Sequence, residues 1–167
     1  MIFPSLRVSA AALGLLAALT AAASDSDNTH GLDTCLAAAL TAHPGLVTRW
    51  EVEDGTGRGF AIEVVTQGGA VWQVNCVPGT SELRGATRST GVRDYPTLSS
   101  RAQIPEPTAR ETVRTYYPGR FIRMEYQITW RGGAVYNYRL ITADDRQADV
   151  EVDASSGRIQ RTRSEAR

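Results

Sequence analysis

The chain has 167 residues, of which 42% are hydrophobic and 22% are charged, and its 18 basic and 18 acidic side chains balance. This composition is that of a globular protein and excludes a disordered, low-complexity chain. All the basic residues are arginines, and they are scattered along the chain, so no basic cluster of the kind that binds nucleic acids is indicated.

Residues 1–23 predict an export signal that is removed from the mature protein. Arg7 precedes an apolar run over residues 8–19, and residues 21–23 are small enough for a signal peptidase. The run is too short for a comfortable membrane span, and no cysteine stands at the cleavage site to carry a lipid. We therefore expect an exported, periplasmic or extracellular protein whose mature chain has about 144 residues and no membrane span.

Residues 24–32 are polar and predict a mobile leader, and residues 33–86 predict a first folded unit. Asp33 can cap a helix over residues 34–42, and Pro44-Gly45 ends it because proline cannot continue a helix. The helix has a small apolar face, formed by Leu36, Ala39 and Leu40 with Cys35 beside them. Alternating hydrophobicity then predicts strands in residues 47–53, 60–64 and 71–76.

Residues 87–105 predict a linker, because residues 80–103 are polar and have no sustained hydrophobic period. The second unit is predicted in residues 106–162, with a tail in residues 163–167. Thr108 and Glu111 have the spacing of a capping box at the start of its helix. The helix has one apolar face, formed by Ala109, Val113, Tyr116 and Tyr117. Pro118-Gly119 ends the helix, and the glycine is expected to adopt left-handed backbone geometry there.

The strand pattern is strongest after this helix. Five alternate residues are apolar and predicted to be buried: Ile122, Met124, Tyr126, Ile128 and Trp130. A turn at Gly132-Gly133 separates them from two further alternating runs, which are Tyr136, Tyr138 and Leu140, and Ala148, Val150 and Val152. If fully buried, Trp130 and Tyr126 should each cost roughly 3–5 kcal/mol when replaced by alanine.

The two cysteines predict a structural disulfide within the first unit. Cys35 lies in the predicted helix and Cys76 in the last predicted strand, and a helix that packs across the sheet brings them together. Such a bond persists in the oxidising compartments that exported proteins reach, and closing this loop contributes about 4 kcal/mol in a chain-entropy estimate. A redox-active pair normally has C-x-x-C spacing, which this sequence lacks.

No catalytic or metal-binding constellation is indicated. Of the two histidines, His30 lies in the predicted leader and His43 at a predicted helix end, and no metal-ligand spacing occurs. Two acidic clusters are predicted to lie in strands and turns. One consists of Glu51, Glu53 and Asp54, and the other of Asp144 and Asp145. A serine nucleophile elbow is absent, and the glycines of residues 55–59 mark a hairpin because no helix start follows them. We predict a protein that is not an enzyme and binds no cofactor, metal or nucleic acid.

Two segments carry a recognisable pattern: a helix that ends in an aromatic residue or histidine, then Pro-Gly, then strands that end in V-D-A-x-[ST]-G-x-[IV]. This pattern resembles the PepSY domain. The second unit carries it as Tyr117, Pro118, Gly119, Val152, Asp153, Ala154, Gly157 and Ile159. The first unit carries it in a more divergent form, as His43, Pro44, Gly45, Val74, Asn75 and Cys76, with Asn for Asp and Cys for Ala. The resemblance implies an α+β protein of two tandem units, each with one helix packed on a small antiparallel sheet.

The resemblance also implies a function. PepSY domains occur in propeptides of thermolysin-type metallopeptidases and in exported bacterial proteins, which implies an exported binding module that restrains a secreted or periplasmic peptidase. The edge strands of such small sheets offer unpaired backbone groups to an extended partner. The alternative is a structural or ligand-sensing periplasmic protein with no peptidase partner. An exposed aromatic patch that the core does not need would favour recognition, whereas fully buried aromatics would favour a scaffold.

Overall fold

The structure is a computed structural model that describes residues 26–53, 59–80 and 82–165. The predicted export signal, residues 1–23, and the predicted acidic turn residue Asp54 lie outside the described residues. The first half of the described chain comprises helix α1 (Ser26–Ala42) and strands β1 (Gly45–Val52), β2 (Phe60–Thr66), β3 (Ala70–Cys76) and β4 (Leu83–Val92). A short helix follows, α2 (Tyr95–Arg101). The second half comprises helix α3 (Glu106–Tyr116) and strands β5 (Gly119–Ile128), β6 (Ala134–Thr142), β7 (Gln147–Asp153) and β8 (Ile159–Glu165).

All eight described strands form one antiparallel sheet in the order β4-β3-β2-β1-β5-β6-β7-β8. Each half contributes a four-stranded meander, and the meanders join through their first strands, where Trp50 of β1 is paired with Met124 of β5. The predicted α+β class is therefore confirmed. The sequence does not say whether the two predicted units share a sheet, and in the structure their strands form a single sheet. The tandem arrangement, with the first half as a second PepSY copy, stays a prediction.

Helices α1 and α3 cover the same face of this sheet. The disulfide to Cys76 ties α1 to the face that also carries Trp50, because Cys76, Phe60 and Val52 are register partners and Val52 lies two residues from Trp50. Helix α3 reaches the same face, since the indole nitrogen of Trp50 donates to the Glu106 carboxylate over 3.2 Å. The buried side chains of both halves accordingly form one hydrophobic cluster. The opposite face, which we call the open face, carries mainly charged and polar side chains.

The segments predicted as leader, linker and tail contain regular structure. Helix α1 begins at Ser26, within the predicted leader, and β8 continues to Glu165, within the predicted tail. Strand β4 extends into the predicted linker, and helix α2 lies within it. Strand β4 lies at the sheet edge with nearly every side chain exposed, so it needs no alternating apolar residues and gives no hydrophobic period. Helix α2 is defined by its cap, in which Asp94 accepts from the amide of Thr97.

Helix α3 starts earlier than predicted and buries different residues. The residue that caps it is Pro105, which makes no side-chain capping bond, so the capping box at Thr108 and Glu111 is wrong. Ala109 and Val113 are buried as predicted, whereas Tyr116 is 69% exposed and Tyr117 half-buried. The rest of the buried face is charged, and it consists of Glu106 and Arg110. Hydrophobic periodicity cannot register a buried face of which half is ionisable.

The burial pattern of β5 follows the prediction only in its middle. Met124 and Tyr126 are buried, but a register shift between Phe121 and Arg123 puts Phe121 in the core and leaves Ile122 half-buried. Beyond Tyr126 the strand leaves the helix-covered core: Ile128 is 36% exposed, and Trp130, in the following turn, is 87% exposed. The expected cost of Trp130→Ala is therefore wrong, because that cost requires a buried indole.

The Pro-Gly pairs end both helices, but the glycines serve a different purpose from the predicted one. Gly119 does not have a left-handed backbone. Gly45 and Gly119 each begin a strand that lies close to its neighbour, and an added Cβ would be 2.2 Å from the carbonyl oxygen of Val65 or 2.3 Å from that of Ile141. Real Cβ atoms do not come so close to backbone oxygens, so both positions require glycine.

The predicted disulfide is present. Cys35 and Cys76 are bonded, with their Cα atoms 5.7 Å apart, and both residues are buried within the first half. The bond closes a loop with a sequence separation of 41 residues and holds α1 against β3. None of the described helices is long and apolar enough to span a membrane.

Candidate functional site

The residues that carry the PepSY pattern in the second half build a turn between β7 and β8. One carboxylate oxygen of Asp153 accepts from the backbone amides of Ser155 and Ser156, over 2.9 and 2.8 Å, and also from their hydroxyls. Its other oxygen accepts from the side-chain amide of Gln160. The hydrogen bonds from Ser155 and Ser156, the one from the Ser155 side chain first, lower the pKa of Asp153. Gly157 completes the turn with φ of +73°, which favours glycine.

The other pattern residues of the second half are packed inside it. Val152 and Ala154 are fully buried, and the Ala154 amide donates to the carbonyl of Ala134. Tyr117, at the end of α3, accepts a hydrogen bond from Thr162 of β8. The sequence pattern thus records how the second half folds, and its side chains do not converge on a cavity.

At the corresponding helix end of the first half, His43 stacks on Trp72 with ring centroids 4.1 Å apart and an interplanar angle of 18°. His43 is therefore packed as a helix-end residue, as the sequence suggests. Glu51 is paired with Arg49 on the open face, and Asp144 accepts from the Thr142 hydroxyl in the turn after β6. Among the described residues, no group of three or more His, Cys, Asp or Glu side chains is arranged to hold a metal ion.

A buried ionic cluster lies between the two helices. The Arg110 guanidinium contacts Asp33 of α1 with one nitrogen and lies 3.2 Å from the Glu106 carboxylate with another. Tyr138 donates to the carbonyl and to the carboxylate of Glu106, over 3.1 and 3.3 Å, and Trp50 donates to the same carboxylate oxygen. The cluster thus joins α1, α3 and both meanders at the centre of the molecule.

Burial and neighbouring charges shift the pKa values of Glu106 and Arg110 in opposing directions. Burial raises the pKa of Glu106, and the attraction of Arg110 and the bonds from Trp50 and Tyr138 only partly offset it. Burial also lowers the pKa of Arg110, but Glu106 and Asp33 raise it by more, so the guanidinium stays charged. The side chains of Glu106 and Arg110 are only 7% and 2% exposed. This inaccessibility suits a structural role and offers a substrate no route to the carboxylate.

Three buried tyrosines anchor the connection between the halves. The hydroxyls of Tyr126 and Tyr136 donate to the carbonyls of Leu98 and Ile104, each over 2.8 Å. Burial raises the pKa of Tyr126 to about 12, so this hydroxyl remains a donor at neutral pH. Together with the bond from Tyr138 to Glu106, these contacts fix the path from α2 to α3.

The open face is a lattice of alternating charges centred on the junction of β1 and β5. Arg49 lies opposite Glu125, and Glu51 lies opposite Arg123. The Arg49 guanidinium is 2.7 Å from Glu51, and Arg139 makes a two-pronged contact with Asp149 over 2.7 and 3.1 Å. These pairs neutralise most of the lattice but contribute little stability, because they are partly solvated.

Arg123 takes no part in this pairing. Its cross-strand neighbours are Glu51, whose carboxylate is bound to Arg49, and Arg139, which has the same charge. Like charges directly opposite in a sheet are unfavourable. No carboxylate among the described residues is within ion-pairing distance of Arg123. Arg123 lies at one side of a shallow groove of about 280 Å³ on the open face, which Asn137, Asp149 and other polar residues also line.

A second exposed feature lies at the turn from β5 to β6. Trp130 is 87% exposed, and the Arg131 guanidinium lies 4.5 Å from the centroid of its ring. The sequence pattern assigned this indole to the core because the alternation of β5 continues into the turn. Only the three-dimensional path of the strand shows that the helix-covered core ends at Tyr126.

Comparison with known families agrees with the second half of this description. Residues 103–163 match the PepSY family, described as the peptidase propeptide and YPEB domain. The match lies in the second half and agrees with the resemblance that the sequence pattern of this half indicated. The matched range does not include the first half.

Among solved structures, a candidate lipoprotein from Clostridium difficile 630 superposes with a TM-score of 0.48 at 13% sequence identity, over 71% of this chain and 82% of the other. Among curated proteins, none matches this chain.

Proposed function

We propose that the protein is an exported, non-enzymatic binding module that restrains a secreted or periplasmic peptidase. The observation that carries this proposal is the match of residues 103–163 to a family described by its peptidase propeptides. A propeptide-type module acts by binding and needs no catalytic group of its own. The described residues agree with this role, because the ionisable groups of the ionic cluster are buried and hold the fold together.

The proposed location rests on the composition of residues 1–23 and on the disulfide. A bond between Cys35 and Cys76 persists in an oxidising compartment and is rare in the reducing cytosol. The fold also suits recognition. No helix of the described residues covers the open face of the sheet, and the edge strands β4 and β8 are exposed along most of their length.

The test starts from mature protein, residues 24–167, with the disulfide formed. Immobilised protein is exposed to envelope extract from its own organism, and the bound species are identified. We expect recovery of a peptidase, and addition of the purified protein to that peptidase should abolish its activity at a stoichiometric end point. A serine peptidase of unrelated fold serves as the matched control and should keep its full activity. Recovery without inhibition would contradict a restraining role.

The groove at Arg123 favours a second candidate, a sensor of a small anionic ligand with no peptidase partner. Guanidinium groups without a carboxylate partner bind carboxylates and phosphates through paired hydrogen bonds. Citrate, titrated calorimetrically at low salt, should bind the wild type and the Arg146→Ala control, in which an exposed turn arginine is removed. The Arg123→Ala variant should lose this binding. Equal heats of citrate binding for Arg123→Ala and Arg146→Ala would contradict the proposed sensor function.

A further inference from the structure

The fold does not require the exposed indole of Trp130. Its turn is held by backbone contacts: the Thr129 amide donates to the Gly133 carbonyl over 2.8 Å, and the Gly132 amide donates to the Thr129 carbonyl over 2.9 Å. Gly132 supplies the left-handed residue, with φ of +82°. The turn therefore presents a large apolar side chain to water from a rigid support, at no benefit to the core.

Two arginines flank this indole. Arg131 stacks on the ring, with its guanidinium carbon 4.5 Å from the centroid. Arg101, the last residue of α2, lies against the same turn, because a Cβ built on Gly132 would be 3.2 Å from one of its guanidinium nitrogens. Helix α2 is itself anchored, since Tyr126 donates to the carbonyl of Leu98. We call this surface, Trp130, Arg131 and Arg101, the tryptophan tip.

The positive charge of the tryptophan tip is not neutralised within the described part of the chain. Neither Arg101 nor Arg131 has a carboxylate within ion-pairing distance. The acidic groups at this end of the sheet are engaged elsewhere: Asp94 caps α2, Glu63 pairs with Arg93, and Asp153 holds its own turn. A binding partner can therefore supply the missing carboxylates.

We infer that the tryptophan tip is a docking site for an acidic, partly apolar segment of a partner polypeptide. The indole would pack against the apolar side chains of that segment, and the two guanidinium groups would receive its carboxylates. Exposed Trp and Arg side chains on rigid supports are the residue types that most often dominate binding energy at protein interfaces. The inference deepens the proposed function, because it names the chemistry by which a peptidase partner would be held, but its test does not require that partner.

The probes are two short synthetic peptides, one of leucine and glutamate and one with lysine in place of every glutamate. Trp50 is fully buried and Trp72 is stacked under His43, so a change of environment in the tryptophan emission spectrum reports mainly on Trp130. We expect the acidic peptide to bind the full mature protein and shift the emission to the blue, and the lysine peptide to do neither. Binding should weaken as salt rises, because exposed ion pairs are screened.

Calorimetric titration of variants locates the site. Trp130→Ala should weaken binding of the acidic peptide roughly tenfold or more, and Arg101→Ala and Arg131→Ala roughly threefold to tenfold each. The matched controls are Tyr116→Ala, which removes a 69% exposed aromatic at the far end of α3, and Arg163→Ala, which removes an exposed arginine of β8. Neither control should change the affinity.

Three results would overturn the inference: undiminished binding to Trp130→Ala, equal binding of the lysine peptide, or no binding of either peptide. Its failure is distinct from failure of the proposed function. A peptidase inhibited equally by wild type and Trp130→Ala would leave the proposed function standing without the tryptophan tip. If the acidic peptide binds at the tryptophan tip but no peptidase is recovered, the docking site stands and the proposed restraint of a peptidase fails.

Discussion

The two halves of the molecule solve the same packing problem with different chemistry. In each, a helix lies across a four-stranded meander and ends in Pro-Gly, and each glycine begins a strand pressed against its neighbour. Eight residues before His43 the first half has Cys35, and eight residues before Tyr117 the second half has Ala109. The partner of Cys35 is Cys76, and the V-D-A pattern puts Ala154 in its place. Both alanines have no exposed surface, so buried methyl groups occupy the positions that a disulfide bridges in the first half.

The helix faces differ in a complementary way. Leu32 and Leu36, which are buried in α1, occupy the positions that Glu106 and Arg110 occupy in α3. The first half is thus closed by apolar contacts and a covalent bond, and it contributes Asp33 to a cluster whose other charges come from the second half. The described residues of the second half contain no disulfide, and their polar contacts hold the two halves together.

The ionic cluster gives the largest expected difference between the halves. Glu106→Ala leaves the buried Arg110 with Asp33 alone, and removal of one partner from a buried ion pair costs roughly 3–5 kcal/mol of unfolding free energy. Urea unfolding measures the loss. The matched control is Glu111→Ala on the exposed side of α3, where the ion pair with Arg114 is solvated and its loss should be small.

The double variant Glu106→Leu with Arg110→Leu copies the face of α1 and sharpens this comparison. Replacing a buried ion pair with apolar residues of similar size is often neutral or stabilising. We therefore expect it to recover most of the stability that Glu106→Ala loses. Equal urea midpoints for Glu106→Ala and Glu111→Ala would contradict the whole account of the cluster.

The disulfide gives the next largest effect. The double variant Cys35→Ala with Cys76→Ala makes the first half resemble the second, and it should lose about 2–4 kcal/mol because the unfolded chain regains the freedom of the closed loop. The urea midpoint of the wild type should fall by a similar amount when reductant is added, and the variant should show no response to reductant. A wild type whose urea midpoint does not respond to reductant would show that the disulfide contributes no stability to the first half.

These differences explain how far the sequence predicts the structure. Strand alternation, the Pro-Gly pairs and the cysteine positions are local or pairwise signals, and they predicted the α+β class, the disulfide and the resemblance of the second half to PepSY. The errors arise where burial depends on distant elements. Trp130 continues the alternation of β5 beyond the reach of the helices, and Glu106 is buried only because α1, Trp50 and Tyr138 surround it.

The surfaces could be predicted even less. Arg123 and Arg101 have no carboxylate within ion-pairing distance among the described residues, whereas Arg49, Arg110 and Arg139 do. This difference depends on neighbours in three dimensions and has no signal in the sequence. Strand β4 was not predicted because an edge strand with both faces in water has no alternating pattern to read.

The turn at Asp153 gives a smaller expected effect, which differs between equivalent positions of the two halves. Asp153→Ala removes the acceptor of several hydrogen bonds within the β7–β8 turn, and we expect a loss of about 1–2 kcal/mol. Asn75 stands in its place in the first half and makes no comparable turn contacts among the described residues, so Asn75→Ala should cost less. Equal losses in urea unfolding would show that the carboxylate is dispensable.

The smallest expected effect is a dependence of stability on pH, and it has opposite signs for Asp153 and Glu106. The pKa of Asp153 is lowered in the folded state, so its contribution is complete above the unfolded pKa near 4 and is lost as the pH falls through the folded pKa. The pKa of Glu106 is raised, so the folded state binds its proton more readily and stability should rise as the pH falls towards the unfolded value. Urea midpoints of the wild type, Asp153→Asn and Glu106→Gln between pH 7 and pH 3 measure both. In Asp153→Asn, the stability should fall less than that of the wild type at the acid end of this range. In Glu106→Gln, the stability should rise less than that of the wild type as the pH first falls from 7. If Asp153→Asn has the same pH profile as the wild type, the turn does not distinguish the second half from the first in acid.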